Sequence, residues 1–108
     1  MKTKPVIRRR LAHADIANAI THYRTNADAG VATQFVDELE RIISMIAEAP
    51  ATGSPRFGDA LNLPGLRSRQ LGRFPFLVFY MEGEEQIEVW RVLHERRDIA
   101  ESLQDQAP

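Results

Sequence analysis

The chain has 108 residues, enough for one domain with a single hydrophobic core and no staples. It contains no cysteine, which excludes disulfides and thiolate metal sites and fits a reducing cytoplasm. A formal net charge of −1 argues against general nucleic-acid binding, and no apolar run approaches the roughly 20 residues of a membrane helix.

Met1 to Lys4 is basic but runs into Arg8-Arg9-Arg10 rather than an apolar stretch, so it does not read as a secretory signal. Residues 1–4 and 104–108 are expected to fray. Pro5 to Arg10, with Val6 and Ile7, reads as a first strand, and the charge beside it suits a sheet edge. From Ala14 to Asn26 the positions Ile16, Ile20 and Tyr23 fall at helical spacing. Asn26 to Gly30 then breaks the pattern. The second helix has the clearest stripe: Ala32, Phe35, Leu39, Ile42 and Ile46, widened by Val36 and Ile43, with Pro50 at its end. Ala51 to Asn62 has no periodicity and reads as a loop.

The stretch from Leu63 to His94 holds three runs rich in aromatic and β-branched residues, broken by Gly and Pro. It predicts an antiparallel meander. Arg96 to Leu103 predicts a short final helix. The order strand, helix, helix, three strands and a helical tail is an α+β domain, with a helical hairpin on one face of a small, mainly antiparallel sheet. No further element is left to cover the other face. Phe74, Phe76, Phe79 and Trp90 are expected in the core.

Lys2 and Lys4 are the only lysines, so the basic charge is carried by arginine, which suits bidentate contact with carboxylate or phosphate. Arg67, Arg69, Arg73, Arg91, Arg96 and Arg97 sit in or beside the strands and are the candidates for a partner surface. Arg67 and Arg69 alternate with Ser68 and Gln70 and so share a face; replacing both by alanine is expected to weaken partner binding and leave the fold intact. Strict alternation through the last strand sets Ile87, Val89, Arg91 and Leu93 against Glu88, Trp90, Val92 and His94. Neither set is cleanly apolar, and Arg91 has Asp98 or Glu95 as candidate ion partners. His13 and His22 have no partner at metal-ligand spacing and read as surface or cap residues. No metal and no cofactor is expected.

The element order resembles the ParE branch of the RelE/ParE toxins of type II toxin–antitoxin modules, including plasmid stabilisation systems. So do the Ala14-Asp15-Ile16 … Ile20 … Tyr23 helix, the Leu63-Pro64-Gly65-Leu66-Arg67 stretch, the Phe74 to Tyr80 strand and the closing Arg91 to Ile99 segment. The likeness runs from about Val6 to Leu103 and implies a cytoplasmic, RelE/ParE-like β-α-α-β-β-β(-α) toxin domain neutralised by a cognate antitoxin. ParE-like members poison DNA gyrase; RelE-like members are ribosome-dependent ribonucleases that cut messenger RNA.

Metal-independent RNA cleavage needs a base, an acid and cations on the phosphate. The resemblance implies that a ribonuclease would carry arginine just before Leu77-Val78, where this chain has Phe76, and a tyrosine near the C-terminus, where it has none after Tyr80. The alternative set that remains is His94 with Arg91 and Arg73. The sequence therefore favours a non-enzymatic toxin with no catalytic residue, acting on gyrase, over an enzyme acting on ribosome-bound message. In that reading His94 ends a strand and bonds a loop backbone.

Overall fold

A computed structural model describes residues 3–104. The elements are β1 (Val6–Arg8), α1 (Arg10–Asn26), α2 (Ala29–Glu48), a single 3₁₀ turn (Pro50–Thr52), α3 (Arg56–Ala60), β2 (Leu66–Leu71), β3 (Phe74–Glu82), β4 (Ile87–His94) and α4 (Ile99–Gln104). The strands form one sheet in the order β1-β4-β3-β2. β1 is indeed an edge strand, parallel to β4, and the other two pairs are antiparallel.

Several boundaries differ from the sequence reading: the first strand ends at Arg8 rather than Arg10, and the final helix begins at Ile99 rather than Arg96, with Asp98 as its cap. α1 begins at Arg10 rather than Ala14, because β1 ends at Arg8 and the Arg9 N–H closes onto the Val89 carbonyl at 3.0 Å. α2 begins at Ala29, so Gly30 lies inside it; Asp28 is the cap, its carboxylate accepting from the Val31 N–H at 2.9 Å. The segment expected to be a loop contains α3. Gly58 in that helix packs directly against the Leu63 and Leu66 carbonyls, where a Cβ would not fit. Residues 1, 2 and 105–108 of the expected frayed ends lie outside the described residues. Lys4 is tied to Glu82 at 2.7 Å, and Gln104 closes α4.

One side of the sheet buries the helical hairpin. Phe35, Leu39, Ile42 and Ile46 of α2 and Ala12 and Ala19 of α1 meet Phe74, Phe76, Val78, Tyr80, Val89 and Val92. Tyr23, Phe35, Phe74 and Phe76 stack with ring centroids 5.3–6.2 Å apart. Fully burying a side chain such as Phe35 or Leu39 contributes about 1.5–3 kcal/mol, so the stripe fixes the hairpin on the sheet. The second face is covered, contrary to expectation. Phe57 and Leu61 of the α3 region and Ile99 and Leu103 of α4 pack on Leu66, Phe79, Trp90 and Leu93.

A bulge explains why strict alternation failed in β4. Phe79 pairs with Arg91 and Tyr80 with Val89, leaving Trp90 as the extra residue. Parity resets there. Val89 and Val92 face the hairpin while Trp90 and Leu93 face the second cluster.

Candidate functional site

The arginines that the sequence grouped together play three different parts. Arg91 is 7% exposed and Asp15 8%, and they form a bidentate pair at 2.7 and 2.8 Å. Arg91 Nη1 also donates to the Ser102 carbonyl at 3.0 Å, and Asp15 accepts the Val92 N–H at 3.0 Å. The geometry has a clear cause. β1 stops opposite Val89, so the next stretch of β4 has no neighbouring strand, and the Asp15 carboxylate of α1 takes its open N–H. The expected partners of Arg91, Asp98 and Glu95, do not fill this role. Asp98 instead caps α4, accepting the Glu101 N–H at 3.0 Å. A buried arginine of β4 pinned to α1 and α4 is scaffold.

Arg67 and Arg69 share a face of β2, as alternation predicts, but both are half-buried and reach the turn before α3. Arg67 Nη1 donates to the Gly53 carbonyl at 2.8 Å, and Arg69 Nη2 to Thr52 Oγ1 at 2.5 Å. Between them the Tyr80 hydroxyl donates to the Pro50 carbonyl at 2.7 Å, and burial pushes its pKa up. β2 itself is closed at its outer edge by paired 2.9 Å bonds between Ser54 and Ser68.

Arg73, Arg96 and Arg97 are exposed. Arg73 sits in the β2–β3 turn, bonds Gln34 of α2 and lines an open hollow of about 420 Å³ with Asp37, Glu38 and Arg41. A hydrogen bond from Arg41 holds the Glu38 carboxyl below its ordinary range. Arg96 and Arg97 follow β4. The Arg96 N–H donates to His94 Nδ1 at 3.1 Å and the Arg97 N–H to the His94 carbonyl at 3.0 Å. His94 thus bonds the loop backbone, and its ring meets Phe76 edge-on at 5.2 Å.

The alternative ribonuclease set is not assembled. Arg73 lines the hollow beside α2; Arg91 and His94 line adjacent hollows that share Arg97, but the Arg91 guanidinium is held by Asp15 and the Ser102 carbonyl. Among the described residues no cluster of His, Asp or Glu has metal-ligand geometry, and no helix is long and apolar enough to cross a membrane.

The sequence model of the family described as "ParE toxin of type II toxin-antitoxin system, parDE" matches residues 6–99. The chain belongs to the ParE toxin family. A solved structure of the chromosomal ParDE toxin–antitoxin system from P. aeruginosa superposes with a TM-score of 0.73 at 20% identity, covering 85% of this chain and 96% of that one. At that identity the likeness establishes the fold. A search of curated protein sequences returned no match.

One residue of this ParE-family chain escaped the sequence reading, while His22 is exposed as that reading has it. Asp15 is the ion partner of Arg91, and the signal was available, since it lies on the buried stripe of α1 with Ala12 and Ala19. His22 stands two turns further along the same face and lines the His94 hollow with Asn18 and Arg97.

Proposed function

We propose that this ParE-family toxin acts in the cytoplasm by binding DNA gyrase and arresting replication, and that a cognate antitoxin neutralises it by binding over its surface. Family membership supports the toxin role. The observation that weighs against the ribonuclease alternative is the commitment of Arg91 to Asp15, with Arg73 in a hollow apart from that of His94. A transferring phosphate needs its cations and its acid and base within hydrogen-bond reach of one another. The toxin in this reading has no catalytic residue and works by occupancy.

The contact surface we assign is the end of the sheet where Arg73, Arg96 and Arg97 are exposed. Arg67 and Arg69 lie further along β2, opposite Tyr80 and Val78, and hold the 50–53 turn in place. The test is gyrase-catalysed supercoiling of relaxed plasmid with purified toxin added, beside labelled-precursor uptake after brief induction. Expected are loss of supercoiling, early loss of DNA synthesis, and restoration of both by the antitoxin. Intact supercoiling with early loss of protein synthesis and cleaved messages would overturn the assignment.

A further inference from the structure

The hollow beside His94 joins an apolar floor to a polar rim that holds two histidines. Its floor is apolar, made by Ala19, Phe76 and Val92, and His22, Asn18, His94 and Arg97 surround it in a volume of about 220 Å³. Asp15 also lines it, but both carboxylate oxygens are already engaged by Arg91 and the Val92 N–H. What the hollow presents is mainly hydrogen-bond donors.

The histidine rings extend this pattern. His94 Nδ1 accepts the Arg96 N–H, so a neutral His94 carries its hydrogen on Nε2. The Asn26 amide nitrogen, a donor only, lies 3.2 Å from His22 Nδ1, so that ring too carries its hydrogen on Nε2. Two imidazoles with an N–H to offer, the Asn18 amide and the Arg97 guanidinium therefore line a hollow with an apolar floor.

The same place is an open sheet edge. The Phe76–His94 register and the 2.9 Å bond from the Glu95 N–H to the Pro75 carbonyl turn the backbone groups of Val92 and His94 away from β3. The Val92 N–H goes to Asp15 and the His94 carbonyl to Arg97. The Val92 carbonyl and the His94 N–H are left facing the gap beyond the end of β1. An acceptor–donor pair turned outward on an edge is what an added strand requires.

We infer that this hollow is an anchoring subsite for an extended acidic peptide segment of a protein partner. One carboxylate is held by His22, His94 and Arg97, a neighbouring apolar side chain covers Phe76, and the backbone pairs with β4. A phosphate group fits less well, since it offers no donor for the Val92 carbonyl and nothing to cover the apolar floor, whereas a peptide supplies a backbone N–H and a side chain. The inference rests on the reading that a protein partner neutralises this toxin, and it names where and by what chemistry.

Amide chemical shifts of the full chain are followed during titration with a capped pentapeptide of alternating valine and glutamate. Its glutamine counterpart, inorganic phosphate and a short oligouridylate are titrated in parallel. The acidic peptide is expected to shift the amides of Asn18, Ala19, His22, His94 and Arg97 saturably, and the glutamine peptide to bind about tenfold more weakly, the loss of one charge-assisted contact. Arg97→Gln is expected to weaken the acidic peptide by a similar factor and leave the glutamine peptide unchanged. Equal binding of both peptides, saturation at another surface, or absence of saturable shifts would overturn the inference. Preferential saturation by phosphate or oligouridylate would also overturn it and assign the hollow to a phosphate. None of these outcomes depends on supercoiling by gyrase, so the two readings fail separately.

Discussion

At the scale of single residues, the Asp15–Arg91 pair decides more than any exposed charge. Removing one member of a buried pair leaves the other charge uncompensated in a desolvated site. Asp15→Asn is therefore expected to destabilise the fold by about 3–5 kcal/mol, read as a lowered urea midpoint at unchanged slope. A loss below about 1 kcal/mol would place the pair among surface bridges. The exposed pairs act through pH instead. Hydrogen bonds from Arg41 to Glu38 and from Arg9 to Glu88 hold both carboxyls below their ordinary value near 4.5. A depressed folded pKa gives stability that is complete above the unfolded value and is lost as pH falls through the folded one. Urea midpoints at pH 7 and pH 3 are thus expected to differ less in Glu38→Gln and Glu88→Gln than in the natural chain.

At the scale of elements, the second core cluster and the turn that precedes it are where sequence and structure part. α2 was legible because seven apolar positions repeat at helical spacing over a long helix. α3 has five residues, too few for a stripe, so only the apolar contacts of Phe57 reveal it, whereas α4 was expected from the sequence and differs only in starting at Ile99. The bulge at Trp90 was illegible for a different reason: alternation assumes one residue per step, and nothing local marks the extra one. Of the candidate site, the shared face of Arg67 and Arg69 and the exposure of Arg96 and Arg97 were legible. The burial of Arg91 was not, because it depends on where β1 stops. These elements yield two tests. At Gly53 a Cβ would overlap the Tyr80 ring and hydroxyl, so Gly53→Ala is expected to cost about 1–3 kcal/mol through overpacking and to speed hydrogen exchange at the Ser54 and Ser68 amides. Leu103 is fully buried against the cluster holding Trp90, the sole tryptophan. Leu103→Ala is expected to cost about 2–5 kcal/mol and to shift tryptophan emission to the red, which a mutation confined to the hairpin face would not do.

At the scale of the whole molecule, a net charge of −1 conceals an uneven placing of exposed strand-end charges, although Asp37, Glu38, Glu95 and Asp98 stand beside the arginines. The sheet register sets Arg73, His94, Arg96 and Arg97 at one end, where Leu71 meets Phe74 and Phe76 meets His94. The opposite end carries Glu82, Glu84 and Glu85 around the β3–β4 turn. Such a molecule has little long-range monopole attraction, yet it presents one end to an acidic partner, and rim charges of this kind act on association rate more than on the final contacts. Arg73→Glu combined with Arg96→Glu is therefore expected to slow association with the antitoxin about tenfold at ~0.01 M salt, where the screening length is ~30 Å. Near 1 M salt, with screening at ~3 Å, the variant is expected to approach the natural rate. Glu84→Lys combined with Glu85→Lys changes the net charge just as much in the other direction but at the far end, and is expected to alter the rate little. Stopped-flow association across the salt series separates the cases. Comparable rate changes from both double variants would mean that the partner reads overall charge, and that the segregation of arginine and glutamate along the sheet does not orient its approach.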